Sequence, residues 1–128
     1  MNVGIYIYDQ AEVLDFSGPF EVFSTASRVC KTDNLFNTFL VSENGKTVKA
    51  RGGYNINPAY GFHDVPPIDV LIVVGGVHTQ EIKKAYVIAW IKQKSASAKV
   101  IASVCTGVFL LAEAGVVTNH TVTTHWRI

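Results

Sequence analysis

The stretch from Lys99 to Gly107 reads KVIASVCTG, a short apolar and β-branched run that passes directly into a cysteine, a threonine and a glycine. It predicts a strand over Lys99–Val104, followed at once by a helix over Val108–Ala114. A strand that turns into a helix at a cysteine has the geometry of a nucleophile elbow, which exposes the side chain at the end of the strand. The stretch therefore predicts an α/β sheet and a place on it for a reactive thiol.

The rest of the chain alternates strands and helices in the same way. We predict strands at Val3–Tyr8, Phe36–Ser42 and Val70–Val74, a small hairpin from Val48–Ala50 and Tyr54–Asn57, and a loop over residues 58–69. We predict a first helix that begins after an N-cap at Ser17 or Asp15, has Pro19 in its first turn and ends at about Val29. A second helix is predicted over Gln80–Gln93 after a cap at Thr79, and a third begins at His125 after a cap at Thr124. In the second of these, Ile82, Tyr86, Ala89 and Trp90 form the predicted buried stripe, and Gly115 is predicted to follow the 108–114 helix at its C′ position. This alternation predicts a parallel sheet covered by helices.

The composition fits one small domain. The 128 residues are 48% hydrophobic and only 16% charged, so we expect strands buried on both faces or a subunit interface. A net charge of +1 gives no electrostatic basis for binding nucleic acid. The N-terminal segment MNVGIYIYDQ lacks the basic start of a signal peptide, and the apolar runs are too short to span a membrane. We therefore predict a cytoplasmic protein with no membrane partner.

Three features fall where strands of a parallel sheet end, which is where ligands bind in such sheets. They are LDFSGP at residues 14–19, the Gly75-Gly76 pair, and the Cys105 turn. A thiol at a helix N-terminus is expected to have a lowered pKa. The backbone N–H of Thr106 and the Gly75-Gly76 turn are candidate oxyanion donors.

Each of these features also has a purely structural interpretation. A lone cysteine is often a small buried apolar residue, Asp15 can be a helix-capping carboxylate, and Gly75-Gly76 can simply end a strand. Cys30, at a helix end before a charged loop, is predicted to be structural or incidental. Four scattered histidines without spaced ligand partners predict no metal site.

The run ASVCTGVFLLAEAG at residues 102–115, followed by TTHW at residues 123–126, resembles the ThiJ/PfpI superfamily. The similarity is to the branch that holds isonitrile (isocyanide) hydratases and the sensor domains of AraC-type transcriptional regulators. LDFSGPFEVF at residues 14–23 and DVLIVVGG at residues 69–76 match the same branch in the same order. The resemblance implies a flavodoxin-like three-layer sandwich with a mostly parallel sheet, similar to class I glutamine amidotransferases, and a homodimer.

The resemblance also implies roles for individual residues. Cys105 would be the elbow nucleophile and Asp15 its acidic partner, while the backbone N–H groups of Gly76 and Thr106 would stabilise an anion. Protease-like members of the superfamily have a histidine where this chain has Thr106, so peptidase activity loses its general base. Val77-His78 also departs from the smaller residues common in this branch, which bears on the shape of the pocket.

The activity implied is hydration of a small isocyanide to an N-formamide without a cofactor or metal. The alternatives are a non-catalytic ligand-sensing domain of an AraC-type regulator, or another ThiJ/PfpI activity such as glyoxalase or a redox stress response. Relatives continue past the TTHW motif with further strands and a helix. The resemblance therefore predicts that residues 1–128 form one ThiJ/PfpI-like domain that is truncated at its C-terminus, and so stabilised by dimerisation or impaired in activity.

Overall fold

The computed structural model describes residues 1–127. Its elements are β1 (Asn2–Tyr6), α1 (Val13–Val29), β2 (Asn37–Val41), β3 (Val48–Lys49), β4 (Asn55–Ile56), β5 (Val70–Val73), α2 (Ala85–Ser97), β6 (Val100–Ser103) and α3 (Gly107–Glu113), with 3₁₀ turns at Arg51–Gly53 and Glu81–Lys83. The four long strands form one parallel sheet in the order β2-β1-β5-β6, and β3 and β4 form an antiparallel hairpin.

Helices cover both faces of this sheet. The chain passes from β1 through α1 to β2 in one direction, and from β5 through α2 to β6 in the other. Because parallel crossovers are right-handed, α1 and α2 lie on opposite faces. The predicted flavodoxin-like sandwich is confirmed.

The core lies along the central strands β1 and β5. All four residues of β5 are buried, and β1 is buried from Val3 to Tyr6. Val3 pairs with Val70, which in turn pairs with Val100 on β6. The low charge content of the sequence is thus explained by strands buried on both faces. The predicted main strands and the hairpin are confirmed to within two residues at their ends.

The predicted start of α1 is wrong. Neither Ser17 nor Asp15 is the N-cap: the helix begins at Val13 after Glu12, whose side chain makes no capping hydrogen bond, and Pro19 lies inside the helix instead of in its first turn. The Glu12 backbone N–H donates instead to the Gly75 carbonyl oxygen at 3.0 Å. Pairing with a distant loop therefore sets the start of the helix, and no local capping signal records it.

The helix predicted over Gln80–Gln93 is also displaced. A 3₁₀ turn occupies its beginning, and α2 starts only at Ala85. The side chain of Glu81 is buried, where it accepts a hydrogen bond from the Tyr6 hydroxyl and pairs with Lys84. These buried contacts of Glu81 separate the 3₁₀ turn from α2, and the buried face of the helix differs from the predicted one. Trp90 is buried as predicted, together with Val87, Ile91 and Ser95. Tyr86 and Ala89, which were expected to be buried, are exposed.

At the other end, α3 finishes as predicted, with Gly115 at a φ of +75° after the last turn. The helix predicted to begin at His125 is wrong, since residues 121–127 contain no helix. The Thr124 hydroxyl does not cap a helix but donates to the Cys105 carbonyl oxygen at 2.9 Å. This contact brings the TTHW segment against the elbow. Within residues 1–127 no helix is long and apolar enough to cross a membrane.

Candidate active site

Cys105 stands at the predicted elbow between β6 and α3. Its φ is +55°, in the left-handed region that residues other than glycine rarely adopt. Strained backbone of this kind is typical of nucleophiles held at the end of a strand. Gly107 makes the turn possible, because a Cβ there would lie 2.7 Å from the carbonyl carbon of Val73. The CTG sequence thus lets α3 begin directly against the end of β5.

Asp15 lies in the first turn of α1, and its side chain is buried beside the elbow. Its Oδ2 accepts the backbone N–H of Gly75 at 3.1 Å. Burial raises the pKa of this carboxyl, while the Gly75 hydrogen bond and the neighbouring Cys105 thiol act in the opposite direction. A carboxyl with a raised pKa next to a thiol is suited to exchange a proton with it.

The expected lowering of the Cys105 pKa is wrong. Burial raises the pKa of the thiol, and the negative charge of Asp15 raises it further, whereas the backbone N–H of Thr106 lowers it only in part. The helix that follows has only seven residues, and the full negative charge of Asp15 opposes the effect of its dipole on the thiol. In the resting protein the thiol therefore holds its proton, and Asp15 is placed to accept it.

Gly76 and Thr106, the two predicted anion-stabilising residues, lie in contact. The Gly76 backbone N–H donates to Thr106 Oγ1 at 3.2 Å, and the same hydroxyl oxygen lies 3.3 Å from the Gly76 carbonyl oxygen, to which it can donate. The Thr106 backbone N–H faces the thiol of Cys105. The two N–H groups thus differ in their partners: the Thr106 N–H faces the thiol, whereas the Gly76 N–H is hydrogen-bonded to the Thr106 hydroxyl.

The two glycines after β5 are required by close approach. A Cβ on Gly75 would lie 2.6 Å from the Thr106 backbone nitrogen and 2.9 Å from Asp15 Oδ2. Gly76 has a φ of +142°, and a Cβ there would press on the Gln10 carbonyl oxygen and lie 2.7 Å from the Ala11 Cα. Glycine at both positions lets three loops meet at one edge of the sheet.

A cavity of about 440 Å³ opens over the thiol. It is lined by Glu12, Leu14, Asp15, Arg51, Gly76, Cys105, Thr106, His125 and Arg127. All four predicted site residues lie on it. Of the others, Leu14 belongs to the LDFSGP stretch and His125 to the TTHW motif, but the sequence assigned neither a role at the site. No pattern along the chain connects Arg51, on the hairpin turn, with the elbow.

Other candidate residues lie elsewhere. Cys30 is exposed at the end of α1, away from the cavity. His78 is buried against the ring of Phe109, with its Nδ1 3.3 Å from the Gly76 carbonyl oxygen, so this departure from the resemblance packs behind the glycine turn. In the described part of the chain, no three His, Cys, Asp or Glu side chains are grouped as metal ligands would be.

The parallel sheet, the cysteine elbow and the buried carboxylate define a class of α/β sandwich proteins with a thiol at the carboxyl edge of the sheet. Residues 1–128 match the DJ-1/PfpI family over their whole length. The chain belongs to the DJ-1/PfpI family.

Several relatives are similar over nearly the whole chain. Isonitrile hydratase of Pseudomonas putida is 28% identical over 98% of this chain, which spans only 53% of that protein. An uncharacterised protein in the cpoL 5′ region of Streptomyces lividans is 34% identical, with 98% of this chain and 88% of that protein covered. The transcriptional regulator GbdR of Pseudomonas aeruginosa is 25% identical over 98% of this chain and 34% of the regulator.

One solved structure is also similar over nearly the whole of this chain and about half of its own length. The ThiJ/PfpI family protein from Pseudomonas syringae superposes with a TM-score of 0.87 at 26% identity, covering 98% of this chain and 50% of that protein. The chain thus spans about half the length of the isonitrile hydratase and of this solved relative.

Proposed function

We propose that the protein hydrates a small isocyanide to an N-formamide, with Cys105 as nucleophile and Asp15 as acid and base. The observation that carries the proposal is the buried carboxyl of Asp15 beside a thiol on a strained elbow, both lining one cavity. The similarity to the isonitrile hydratase of Pseudomonas putida supports the choice of substrate. The Thr106 that follows the thiol supplies no imidazole base, which disfavours peptide hydrolysis.

The first step adds the thiol to the substrate. Asp15 takes the proton from Cys105, and the sulfur attacks the terminal carbon of R–N≡C. Protonated Asp15 then gives this proton to the same carbon, so a thioimidate, R–N=CH–S–Cys105, forms. The pKa shifts fit this exchange, since burial raises the pKa of Asp15 and makes it a stronger base, while the charge of Asp15 raises the pKa of the thiol beside it.

The second step adds water. Asp15, again ionised, removes a proton from water while the oxygen attacks the thioimidate carbon, and it gives this proton to the nitrogen, so the intermediate is R–NH–CH(OH)–S–Cys105. Collapse of the tetrahedral intermediate breaks the carbon–sulfur bond, releases R–NH–CHO and returns a proton to the thiol. The Thr106 backbone N–H faces the sulfur and is placed to stabilise negative charge there. The sum is one isocyanide and one water converted to one formamide.

The direct experiment is to incubate the purified chain with cyclohexyl isocyanide and to measure N-cyclohexylformamide by chromatography. We expect formation in proportion to protein concentration, and a mass increase on Cys105 equal to one substrate molecule when the reaction is acid-quenched. If the protein forms no formamide above the uncatalysed rate, the proposal is wrong.

Asp15→Asn tests two effects of the carboxyl separately: its charge raises the pKa of the thiol, and it carries the proton in the proposed reaction. The substitution keeps an oxygen that can accept the Gly75 N–H but removes the charge that raises the thiol pKa. A lower thiol pKa means more thiolate at a given pH, so we expect Cys105 to react with iodoacetamide about threefold faster or more at roughly pH 8. Isocyanide hydration should fall by about 100-fold or more, because the proton carrier is gone.

The pH profile of alkylation, measured in a Cys30→Ser background, is the readout. The midpoint of the Asp15→Asn profile should lie below that of the parent, which itself lies above the ordinary thiol value. Glu113→Gln removes an equal charge at an exposed position of α3 and should leave the midpoint in place. Equal midpoints for the Asp15 and Glu113 variants would show that Asp15 does not interact with the thiol.

A ligand-sensing domain is the second candidate, favoured by the similarity to GbdR. It predicts that small molecules bind in the cavity and protect Cys105 from alkylation without being converted. Binding without turnover would support this alternative. Methylglyoxal is included as an assay substrate to test glyoxalase chemistry at the same thiol.

A further inference from the structure

The cavity over Cys105 contains positive charge that the proposed hydration does not use. The guanidinium groups of Arg51 and Arg127 line it together with the thiol. The isocyanide group is neutral, and Asp15 and Cys105 already account for its protonation and attack. The two guanidinium groups therefore point to a second, charged group on the substrate.

The backbone holds Arg51 in place. Its backbone N–H donates to the Ala11 carbonyl oxygen at 3.0 Å, and the preceding Ala50 N–H donates to the Tyr54 carbonyl oxygen at 2.8 Å. These bonds fix the 3₁₀ turn of the hairpin against the segment that leads into α1. The guanidinium is thus presented to the cavity from a fixed turn.

Within residues 1–127, most of the donor capacity of the Arg51 guanidinium is unused. Its Nη1 lies 3.1 Å from Glu12 Oε2, and the two side chains are 51% and 42% exposed. This single hydrogen bond engages one of the five N–H donors of a guanidinium, which can bind a planar carboxylate through two parallel bonds. A half-exposed pair of this kind contributes little stability, so an incoming carboxylate can share the guanidinium with Glu12.

The negative charges that line the cavity, among residues 1–127, are Glu12, which is paired with Arg51, and Asp15. Asp15 is buried and its charge is met by the Gly75 N–H. Arg127 stacks on the ring of Trp126, 4.6 Å from its centroid, and none of the ion pairs among residues 1–127 includes it. Within the described residues, two arginines therefore line the cavity, while one carboxylate is paired and the other is buried.

We infer that the Cys105 cavity takes a substrate that carries a carboxylate, which binds the Arg51 guanidinium while the reacting carbon lies at the thiol. The identity of the reacting group rests on the proposed function, so the substrate class is a carboxylate-bearing isocyanide. Arg51 determines which substrates bind: it binds the carboxylate, which is the part of the substrate that does not react, and it takes no part in proton transfer.

A pair of alkylating agents tests the anion site without any enzymatic assay. Iodoacetate carries a carboxylate and iodoacetamide is its neutral counterpart, and both consume the same thiolate. The ratio of their rates at Cys105 in a Cys30→Ser background therefore cancels any change in thiol pKa. We expect Arg51→Gln to lower the iodoacetate-to-iodoacetamide ratio by about tenfold, the loss of one charge-assisted hydrogen bond.

Matched variants decide whether Arg51 itself binds the anion. Glu12→Gln removes the competing carboxylate and should raise the ratio, and Glu12→Gln combined with Arg51→Gln should still show the low ratio. Arg28→Gln removes an exposed arginine of α1 that pairs with Glu21, and should leave the ratio unchanged. An unchanged ratio in Arg51→Gln overturns the inference.

The substrate arm uses isocyanoacetate and its methyl ester. Arg51→Gln should lower kcat/KM for isocyanoacetate by about tenfold and alter that for the ester less than twofold. Equal losses for both substrates would overturn the inference. If the alkylation ratio falls in Arg51→Gln but neither isocyanide is hydrated, the carboxylate site is supported and the proposed hydratase activity is the part that fails.

Discussion

Cys105→Ser is expected to lower the rate of isocyanide hydration by at least about 1000-fold, to the background level. Serine keeps the shape of the elbow and the hydrogen-bonding capacity of the side chain. Its hydroxyl is a far weaker nucleophile than sulfur at neutral pH, and Asp15, a carboxyl, is too weak a base to ionise it. Formamide production from cyclohexyl isocyanide is the measurement, and intact-protein mass spectrometry should show no substrate adduct.

Cys30→Ser is the matched control for this loss. Cys30 is exposed at the end of α1, so the same atom is exchanged away from the cavity. We expect the rate of this variant to equal that of the parent. A Cys105→Ser variant that retains turnover, with a thermal melt like that of the parent, would remove the thiol from the mechanism.

Gly76→Ala is expected to lower the free energy of unfolding by about 3 kcal/mol, through overpacking and backbone strain. The φ of +142° is one that an L side chain rarely adopts, and the new Cβ would press on the backbone of Gln10 and Ala11. These atoms belong to the segment that leads into α1, so the position of Asp15 should change with them. Urea denaturation measures the stability, and the formamide assay should show activity lost in the folded fraction as well.

Gly18→Ala is the control for this substitution. Gly18 lies within α1, and a Cβ there has no atom of the described chain beyond its own helix within 4 Å. Alanine is the better helix former, so we expect a gain of about 0.5–1 kcal/mol. If Gly76→Ala unfolds at the same urea concentration as Gly18→Ala, the close approach at the glycine turn does not limit stability.

The parts of the fold that follow from neighbouring residues could be predicted. The apolar run of β5 and the passage of β6 into α3 at Cys105 are local signals, and both were located to within two residues. The start of α1 could not be predicted, because a hydrogen bond from Glu12 to Gly75 sets it. The same holds for α2, whose beginning is displaced by the buried contacts of Glu81.

The turns of the site could be predicted from the sequence, but its chemistry could not. The glycines and the cysteine mark their own turns, but the direction of the thiol pKa depends on Asp15, which comes from the other end of the chain. Arg51 reaches the cavity only because the hairpin folds against the start of α1. The catalytic roles of Cys105 and Asp15, the anion-stabilising roles of Gly76 and Thr106, the homodimer and the cytoplasmic location stay predictions.

The distance along the chain between Asp15 and Cys105 has a consequence for experiments on folding. Burial and the Asp15 charge hold the pKa of the Cys105 thiol above its ordinary value only while α1 and α3 are both docked on the sheet. In the unfolded chain the two groups separate, and Cys105 reverts to an ordinary exposed thiol. In a Cys30→Ser background, an increase in the labelling rate of Cys105 above the rate of the folded protein therefore records the opening of this edge of the sheet, and one native side chain serves as a probe of local unfolding.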